Sequence, residues 1–130
     1  MNNYKELVKE AFAEVLANPE FNEQTIARYF GPDYQQHVDG KVLNYDQFVS
    51  HMKVIKQKTT ALQFDYKTII QEGNIVFTNH LVKVTKPDGT LAEAHLIAEF
   101  HIENGQIVYC NELSRLLIGE ERDRDLGSAH

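Results

Sequence analysis

The chain has 130 residues, of which 42% are hydrophobic and 25% are charged, a balance typical of one globular domain. Its formal net charge is −6, and no cluster of lysine and arginine interrupts that balance, which argues against nucleic acid as a partner. A single cysteine, Cys110, excludes an internal disulfide. The start lacks the apolar region of a secretory signal, and no apolar run approaches the roughly 20 residues that span a bilayer. We therefore expect a cytoplasmic protein with no membrane partner.

The first half of the sequence predicts three helices. Apolar residues recur at helical spacing over 4–16, and Asn18-Pro19 ends that helix. A second helix begins after Asn22 and closes at Gly31-Pro32. A third runs from about 45 to 57, with a capping box at its start.

The second half predicts a meander of antiparallel strands. At least four runs rich in β-branched and aromatic residues are broken by turn signals, near 62–71, 74–86, 91–103 and 106–117. Helices first and strands after them indicate an α+β domain in which the helices cover one face of a curved antiparallel sheet. The domain is expected to span 1–118, and 119–130 to form a charged C-terminal tail.

Two predicted turns assign the strand residues to faces. The loop Pro87-Asp88-Gly89 aligns the preceding and following strands in the pairs Val84 with Ala92, Val82 with Ala94, His80 with Leu96, Thr78 with Ala98 and Val76 with Phe100. The Asn104-Gly105 turn predicts the pairs Ile102 with Ile107, Phe100 with Tyr109, Ala98 with Asn111 and Leu96 with Leu113. Four polar residues then face the helices beside small side chains: Thr78, His80, Tyr109 and Asn111. Polar groups that converge on an under-filled apolar enclosure are typical of a ligand cavity.

The opposite face of the sheet is mixed in character. Four of its apolar members, Phe77, Leu81, Ile97 and Val108, would form an exposed patch. Patches of this kind commonly mark an interface, so we expect a homodimer that packs sheet against sheet. Cys110 is interpreted as a small apolar residue of this face and not as a nucleophile.

Three local segments, taken in order, resemble the nuclear transport factor 2-like superfamily and, within it, the SnoaL-like branch. They are Tyr29 to His37, Glu72 to Val76 and Glu103 to Val108. The resemblance covers about residues 4–117. It implies a cone-shaped barrel of three N-terminal helices on a strongly curved antiparallel sheet, an enclosed pocket and frequent homodimers. Polyketide cyclases, isomerases, epoxide hydrolases, dehydratases and binding modules all use this fold, so the fold does not settle the function.

The resemblance also suggests roles for individual residues. His37 falls where similar sequences place a base, either a carboxylate or a histidine. Tyr109 and Asn111 fall where relatives carry an acidic residue and a pocket tryptophan. Glu112 is the acid nearest to the position of the cyclases' acid/base group. The predicted pairing turns Glu112 outward unless a bulge intervenes.

Two histidines are the candidates for catalysis, because a neutral imidazole in an apolar cavity can take a proton alpha to a carbonyl. They are His37 and His80, with Tyr34, Tyr109 or Asn111 as donors to the resulting oxygen. The alternative is structural, with His37 bonded to a backbone carbonyl and His80 satisfied within the core. His51, on the polar side of the third helix, is expected to be solvated or interfacial.

Two hypotheses about function follow. The first is a binding module for a hydrophobic carbonyl compound, whose pocket includes Tyr34, Thr78, Leu96, Ala98, Tyr109 and Asn111. The second is an isomerase, cyclase or dehydratase with His37 as general base, His80 beside it and Glu112 as candidate acid. Neither hypothesis implies a cofactor, and no set of three inward ligands predicts a metal site.

Overall fold

Six strands form one curved sheet, and the helices lie on its concave face. The structure is a computed structural model, and it describes residues 2–120. The helices are α1 (Tyr4–Ala11), a π-helix (Phe12–Ala17), α2 (Glu23–Tyr29) and α3 (Tyr45–Lys58). The strands are β1 (Phe30–Val38), β2 (Lys41–Leu43), β3 (Ala61–Glu72), β4 (Ile75–Thr85), β5 (Leu91–Glu103) and β6 (Gln106–Ile118). Their order in the sheet is β2-β1-β6-β5-β4-β3, which confirms the α+β class and the cone-shaped arrangement.

Side-chain caps start the helices where the sequence predicts. The Asn22 side chain accepts hydrogen bonds from the backbone N–H groups of Gln24 and Thr25, at 2.9 and 3.2 Å. Asn44 and Gln47 form the expected capping box at the start of α3. Each cap satisfies N–H groups that have no partner within the helix, so these boundaries are local properties of the sequence.

The first helix changes its winding at Phe12. Residues 12–17 form a π-helix, which ends at Asn18 before Pro19. Lys56 of α3 reaches its open end, where its Nζ donates to the carbonyl oxygens of Val15 at 2.7 Å, Leu16 at 3.2 Å and Asn18. These carbonyls lack helical partners, and the ammonium group supplies one.

The pairing of the central strands is as predicted, but that of the last hairpin is not. All five β4–β5 pairs are confirmed. In the β5–β6 pair, Ile102 faces Ile107 as expected, and then Val108 is an extra residue in β6. After this bulge the pairs are Phe100 with Cys110, Ala98 with Glu112 and Leu96 with Ser114. The one-residue shift reverses the faces of β6 residues.

The sequence did not predict β1 and β2. The Gly31-Pro32 pair, interpreted as a helix end, lies within a strand that runs parallel to β6, so the sheet is mixed and not purely antiparallel. A Cβ added at Gly31 would lie 3.2 Å from a methyl group of Val108. Glycine at this position therefore allows β1 to pass the bulge of β6.

Two groups of aromatic rings lie between the helices and the sheet. Phe12 of the π-helix lies 4.9 Å from Phe64, 5.3 Å from His80 and 5.6 Å from Phe100, measured between ring centroids. Phe30, Tyr34 and Phe48 form a second group, with centroids 4.7 to 4.9 Å apart. The two groups lie along the same concave face and bound the space between them.

The expected charged tail begins at the end of β6. Gly119 and Glu120 belong to the described chain, and the remainder of 119–130 lies outside the described residues. The boundary between a domain of 1–118 and a tail therefore stays a prediction, as does the cytoplasmic location. Over residues 2–120, no helix has both the length and the apolar character needed to cross a membrane.

Candidate functional site

A cavity of about 600 Å³ lies between the concave face of the sheet and the helices. Most of its wall is apolar and comes from both layers, including Leu16, Met52, Ile55, Val82, Leu96 and Phe100. The small side chains of Ala92 and Ala94 also line it, which leaves volume that larger residues would fill. A concave, mostly apolar space of this size is typical of a small-molecule site.

His80 is a polar group of the cavity wall whose protonation state is set by burial. Its side chain is 1% exposed, and its Nδ1 shares a 2.9 Å hydrogen bond with Oγ1 of Thr78. The rings of Phe12, Phe64 and Tyr66 surround it at 5.3 to 6.1 Å. Burial, with a smaller contribution from His95, lowers the pKa of His80 to about 4. The imidazole is therefore uncharged at neutral pH.

Glu112 is the second such group, and the β6 bulge turns it inward. Nε2 of Gln36 donates to its Oε1 at 3.4 Å, and the Tyr34 hydroxyl donates to Oε1 of Gln36 at 2.8 Å. Burial and, to a smaller extent, the negative charge of Asp39 raise the pKa of Glu112 to about 8. A carboxyl group with this pKa is mostly protonated at neutral pH, so it can donate a hydrogen bond.

A tight turn between β1 and β2 places Asp39 beside Glu112. Asp39 has a φ of +49°, and its carboxylate accepts hydrogen bonds from the backbone N–H of Ser114 at 2.7 Å and from the Ser114 hydroxyl. Its own N–H donates to the Glu112 carbonyl oxygen at 3.1 Å. These contacts hold a carboxylate at the cavity, where it disfavours ionisation of Glu112.

The predicted site residues fall into two groups. Tyr34, His80, Leu96 and Glu112 line the cavity, while Thr78 and Ala98 are buried in the adjoining wall. Three others lie on the convex face: His37, Tyr109 and Asn111. The rings of His37 and Tyr109 are 5.3 Å apart there, away from the cavity. The predicted inward placement of Tyr109 and Asn111 was wrong because it assumed a hairpin without a bulge.

Two interior residues were assigned wrongly from the sequence. His51, expected to be solvated, is 4% exposed and lines the cavity from α3. It follows Phe48 by three residues and precedes Ile55 by four, so its helical spacing was the signal that could have found it. Cys110, expected on the dimer face, is 2% exposed inside, and burial raises the pKa of its thiol well above the usual range. It is not a reactive thiolate.

The cavity has few groups able to hold a metal ion. His51, His80 and Glu112 all line it. Over the described range 2–120, however, no three histidine, cysteine or acidic side chains are grouped closely enough to bind a metal.

Comparisons with known proteins identify the family. Residues 9–110 match the sequence model of the SnoaL-like domain. The chain belongs to the SnoaL-like family. An uncharacterised protein of Schizosaccharomyces pombe is 31% identical to this SnoaL-like chain over 105 residues, which cover 81% of each protein. The resemblance inferred from the sequence is thereby confirmed.

Solved structures share the SnoaL-like fold at low sequence identity. IdmH, a candidate polyketide cyclase from Streptomyces antibioticus, has a TM-score of 0.73 at 14% identity, over 87% of this chain and 92% of its own. AclR, a candidate hydroxylase from Streptomyces galilaeus, has 0.70 at 18%, over 98% and 89%. An epoxide hydrolase from M. tuberculosis has 0.70 at 16%, over 85% and 80%. Three different activities on one fold leave the chemistry to be argued from the site.

Proposed function

We propose that this SnoaL-like protein binds an uncharged hydrophobic small molecule that carries a carbonyl oxygen. The observation that carries the proposal is the cavity itself, which has about 600 Å³ of space, a mostly apolar wall and two titratable groups, His80 and Glu112, that burial keeps neutral. An apolar ligand gains free energy by leaving water for this wall. The charged residues of the lining, Asp39, Lys41, Glu93 and Arg115, are all at least partly exposed, so a charge on the buried part of a ligand would lack a complementary ion.

The polar groups of the wall match a carbonyl ligand. A protonated carboxyl group donates one hydrogen bond, and Glu112 offers it from within the cavity. A ligand that lacked an acceptor would leave this donor without a partner, which lowers affinity. The family and the neighbouring structures support a small molecule as partner, and the choice of a carbonyl compound rests on Glu112.

A calorimetric and thermal-shift screen of hydrophobic ketones tests the proposal. Ligands that bind the folded state should raise the melting temperature in proportion to RT ln(1 + [L]/Kd). Ala94→Phe, which fills part of the cavity, should abolish the shift, whereas His37→Ala on the convex face should keep it. Binding that survives Ala94→Phe but disappears in His37→Ala would contradict the assignment to the cavity.

A second candidate function is proton transfer within the same cavity, and the inward Glu112 is the observation that favours it. His80 would accept a proton from the carbon alpha to the carbonyl while Glu112 gives its proton to the carbonyl oxygen, which produces an enol. In a ketone with a β,γ double bond, protonated His80 would then give its proton to the γ carbon while the enol O–H returns its proton to Glu112, which completes an isomerisation without a cofactor. Because the pKa of His80 is about 4, it is a weak base, and binding remains the first proposal.

Hydrogen exchange at a bound ketone distinguishes the two functions. In D₂O, proton transfer would place deuterium on the alpha carbon of a ketone that binds, and proton NMR would show the loss of signal. Glu112→Gln and His80→Phe should each remove this exchange, while His37→Ala should not, because His37 lies on the convex face. Binding without exchange in the wild-type protein would leave the binding function alone.

We also propose that the convex face joins two copies of the chain. Its exposed apolar side chains include Ile70 at 58%, Phe77 at 41%, Ile97 at 43% and Leu113 at 66%. Leu113 belongs to this face, whereas Cys110, which the sequence had placed there, lies inside. Ile97→Glu should convert a dimer into a monomer in light scattering, with ketone binding retained, and a wild-type monomer at all concentrations would contradict the proposal.

A further inference from the structure

Four side chains lie together on two neighbouring strands of the concave face, and three of them, Tyr34, Gln36 and Glu112, form a hydrogen-bonded chain. Tyr34 and Gln36 lie two residues apart on β1, and Cys110 and Glu112 lie two residues apart on the adjoining β6. The Tyr34 hydroxyl is 2.8 Å from Oε1 of Gln36, and Nε2 of Gln36 is 3.4 Å from Oε1 of Glu112. The Cys110 thiol lies near the Tyr34 hydroxyl, and each group affects the pKa of the other. All four side chains also line the cavity.

Tyr34 gives this chain a direction. A phenol has one hydrogen to donate, and Tyr34 donates it to the amide oxygen of Gln36. The amide nitrogen must then face Glu112, and an amide nitrogen only donates. Tyr34 is 1% exposed and its ring packs against Phe30 and Phe48, so the hydroxyl is held in place by the core.

The direction decides where Glu112 carries its proton. Its Oε1 accepts from Gln36, and the acid places its hydrogen on the other oxygen, since the accepting oxygen is the carbonyl oxygen of the group. We propose that Gln36, oriented by Tyr34, is a positioning residue that keeps the Glu112 proton on Oε2, from which the acid donates to the carbonyl oxygen of a ligand. The ligand half of this inference rests on the proposed function.

The charges around Glu112 agree with a donor at this position. The carboxylate of Asp39 is held by Ser114, and its negative charge favours the uncharged form of Glu112. Burial is the larger cause and acts in the same direction, and together they raise the pKa of Glu112 to about 8. Gln36 is 6% exposed and is the amide partner that the wall provides for the acid.

The pKa of the Glu112 carboxyl group, measured without ligand, tests the role of Gln36. Proteins with carbon-13 in the glutamate carboxyl groups are titrated by NMR, and Glu112→Gln identifies the signal. Gln36→Met removes an N–H donor that favours the ionised form, so the pKa should rise by roughly 0.5 to 1. Tyr34→Phe should also raise it, because the freed amide can turn its oxygen toward the Glu112 hydroxyl.

Tyr66→Phe is the control for the titration of Glu112, and a role in packing alone would give the opposite pKa shift. Tyr66→Phe removes a phenol from the His80 side of the core, where it has no contact with Gln36, and should leave the Glu112 pKa unchanged. If Gln36 and Tyr34 served packing alone, their replacement would admit water and lower the Glu112 pKa toward 4.5. A fall, or no change, in Gln36→Met and Tyr34→Phe would overturn the inference.

A matched pair of ligands tests the direction of the donor. 1-Tetralone and tetralin share a ring skeleton, but only 1-tetralone has a carbonyl oxygen. Tyr34→Phe should weaken 1-tetralone binding roughly three- to tenfold and leave tetralin binding unchanged. Equal affinity for 1-tetralone in both proteins would overturn the inference. If wild-type protein bound neither compound, the proposed function would be contradicted for this class, and the ligand-free titration would still decide the role of Gln36.

Discussion

The two faces of the sheet treat the same kinds of side chain in opposite ways. On the concave face, His80 is fully buried and Glu112 partly buried, and these surroundings keep both mostly uncharged at neutral pH. On the convex face, His101 and Glu99 contact each other with about a third of each side chain exposed. The presence of a histidine or a glutamate in a strand therefore does not by itself indicate a binding site. Their face decides whether they meet a ligand or the solvent.

One residue separates these two outcomes in β6. The bulge at Val108 directs Cys110 and Glu112 into the cavity and Tyr109 and Leu113 to the convex face. Without it, the strand would present the opposite set to the helices. The set of side chains that β6 presents to the cavity thus depends on a backbone bulge. Replacing single side chains would not reverse the faces of all the following residues, as the bulge does.

Deletion of Val108 should have the largest effect, because it exchanges the β6 residues of the concave and convex faces. The change moves Asn111 and Leu113 inward and Glu112 outward, against a core that fits the present set. We expect loss of cooperative unfolding in urea, measured by circular dichroism. Val108→Ala keeps the bulge and should unfold cooperatively. A deletion variant with wild-type stability would show that the bulge does not fix the faces.

Phe12→Ala should open the concave face to water. Phe12 is 4% exposed and contacts the rings of Phe64, His80 and Phe100, so its truncation should cost about 3 to 5 kcal/mol of unfolding free energy. Water beside His80 should also raise the pKa of the imidazole from about 4 toward 6.5, as followed by proton NMR. An unchanged His80 pKa in a folded variant would contradict the role of burial.

Glu112→Gln should remove a pH dependence that the concave face imposes. The pKa of Glu112 is about 8 in the folded protein and about 4.5 when unfolded, so the folded state binds the extra proton and loses stability as pH rises between them. From pH 6.5 to 8, the free energy of unfolding of the wild type should fall by about 2 kcal/mol, and that of the variant should not show this fall.

Between pH 6.5 and 8, the other buried titratable group, His80, does not contribute to this pH dependence. His80 has a pKa of about 4 when folded and about 6.5 when unfolded, so it lowers stability only as pH falls below 6.5. Urea titrations at several pH values above 6.5 therefore report Glu112. Parallel curves for wild type and Glu112→Gln would show that the carboxyl group is not buried.

His37→Ala should have the smallest effect, because His37 belongs to the convex face. Its ring contact with Tyr109 is worth about 0.5 to 1 kcal/mol, and ketone affinity should not change. Denaturant titration and calorimetry on the same protein give both values. A loss of affinity comparable to that of a cavity variant would place His37 at the ligand after all.

The sequence predicted the parts of the fold that local signals specify. Asn22 and Asn44 correctly predicted the starts of two helices. The Pro87-Asp88-Gly89 turn correctly predicted the β4–β5 pairs, which place His80 inside. Each signal acts within a few residues of its effect, so it is legible without the rest of the fold.

The remaining features depend on contacts between distant residues. Around Val108 the residues alternate equally well in either phase, so the pattern gives no sign of the bulge that turns Glu112 inward. The strand β1 forms beside β6, which is about 75 residues further along the chain, and Pro32 concealed it. The role of Gln36 in β1 could not be predicted from the sequence, because it depends on the contacts of its amide with Tyr34 and Glu112.

The Lys56 ammonium group at the end of the π-helix has a consequence for the order of folding. Its three carbonyl partners, in Val15, Leu16 and Asn18, lie 38 to 41 residues earlier in the chain. The π-helix can therefore acquire its final end only after α3 has docked. If this contact forms after the rate-limiting barrier, Lys56→Met will accelerate unfolding and leave the refolding rate nearly unchanged.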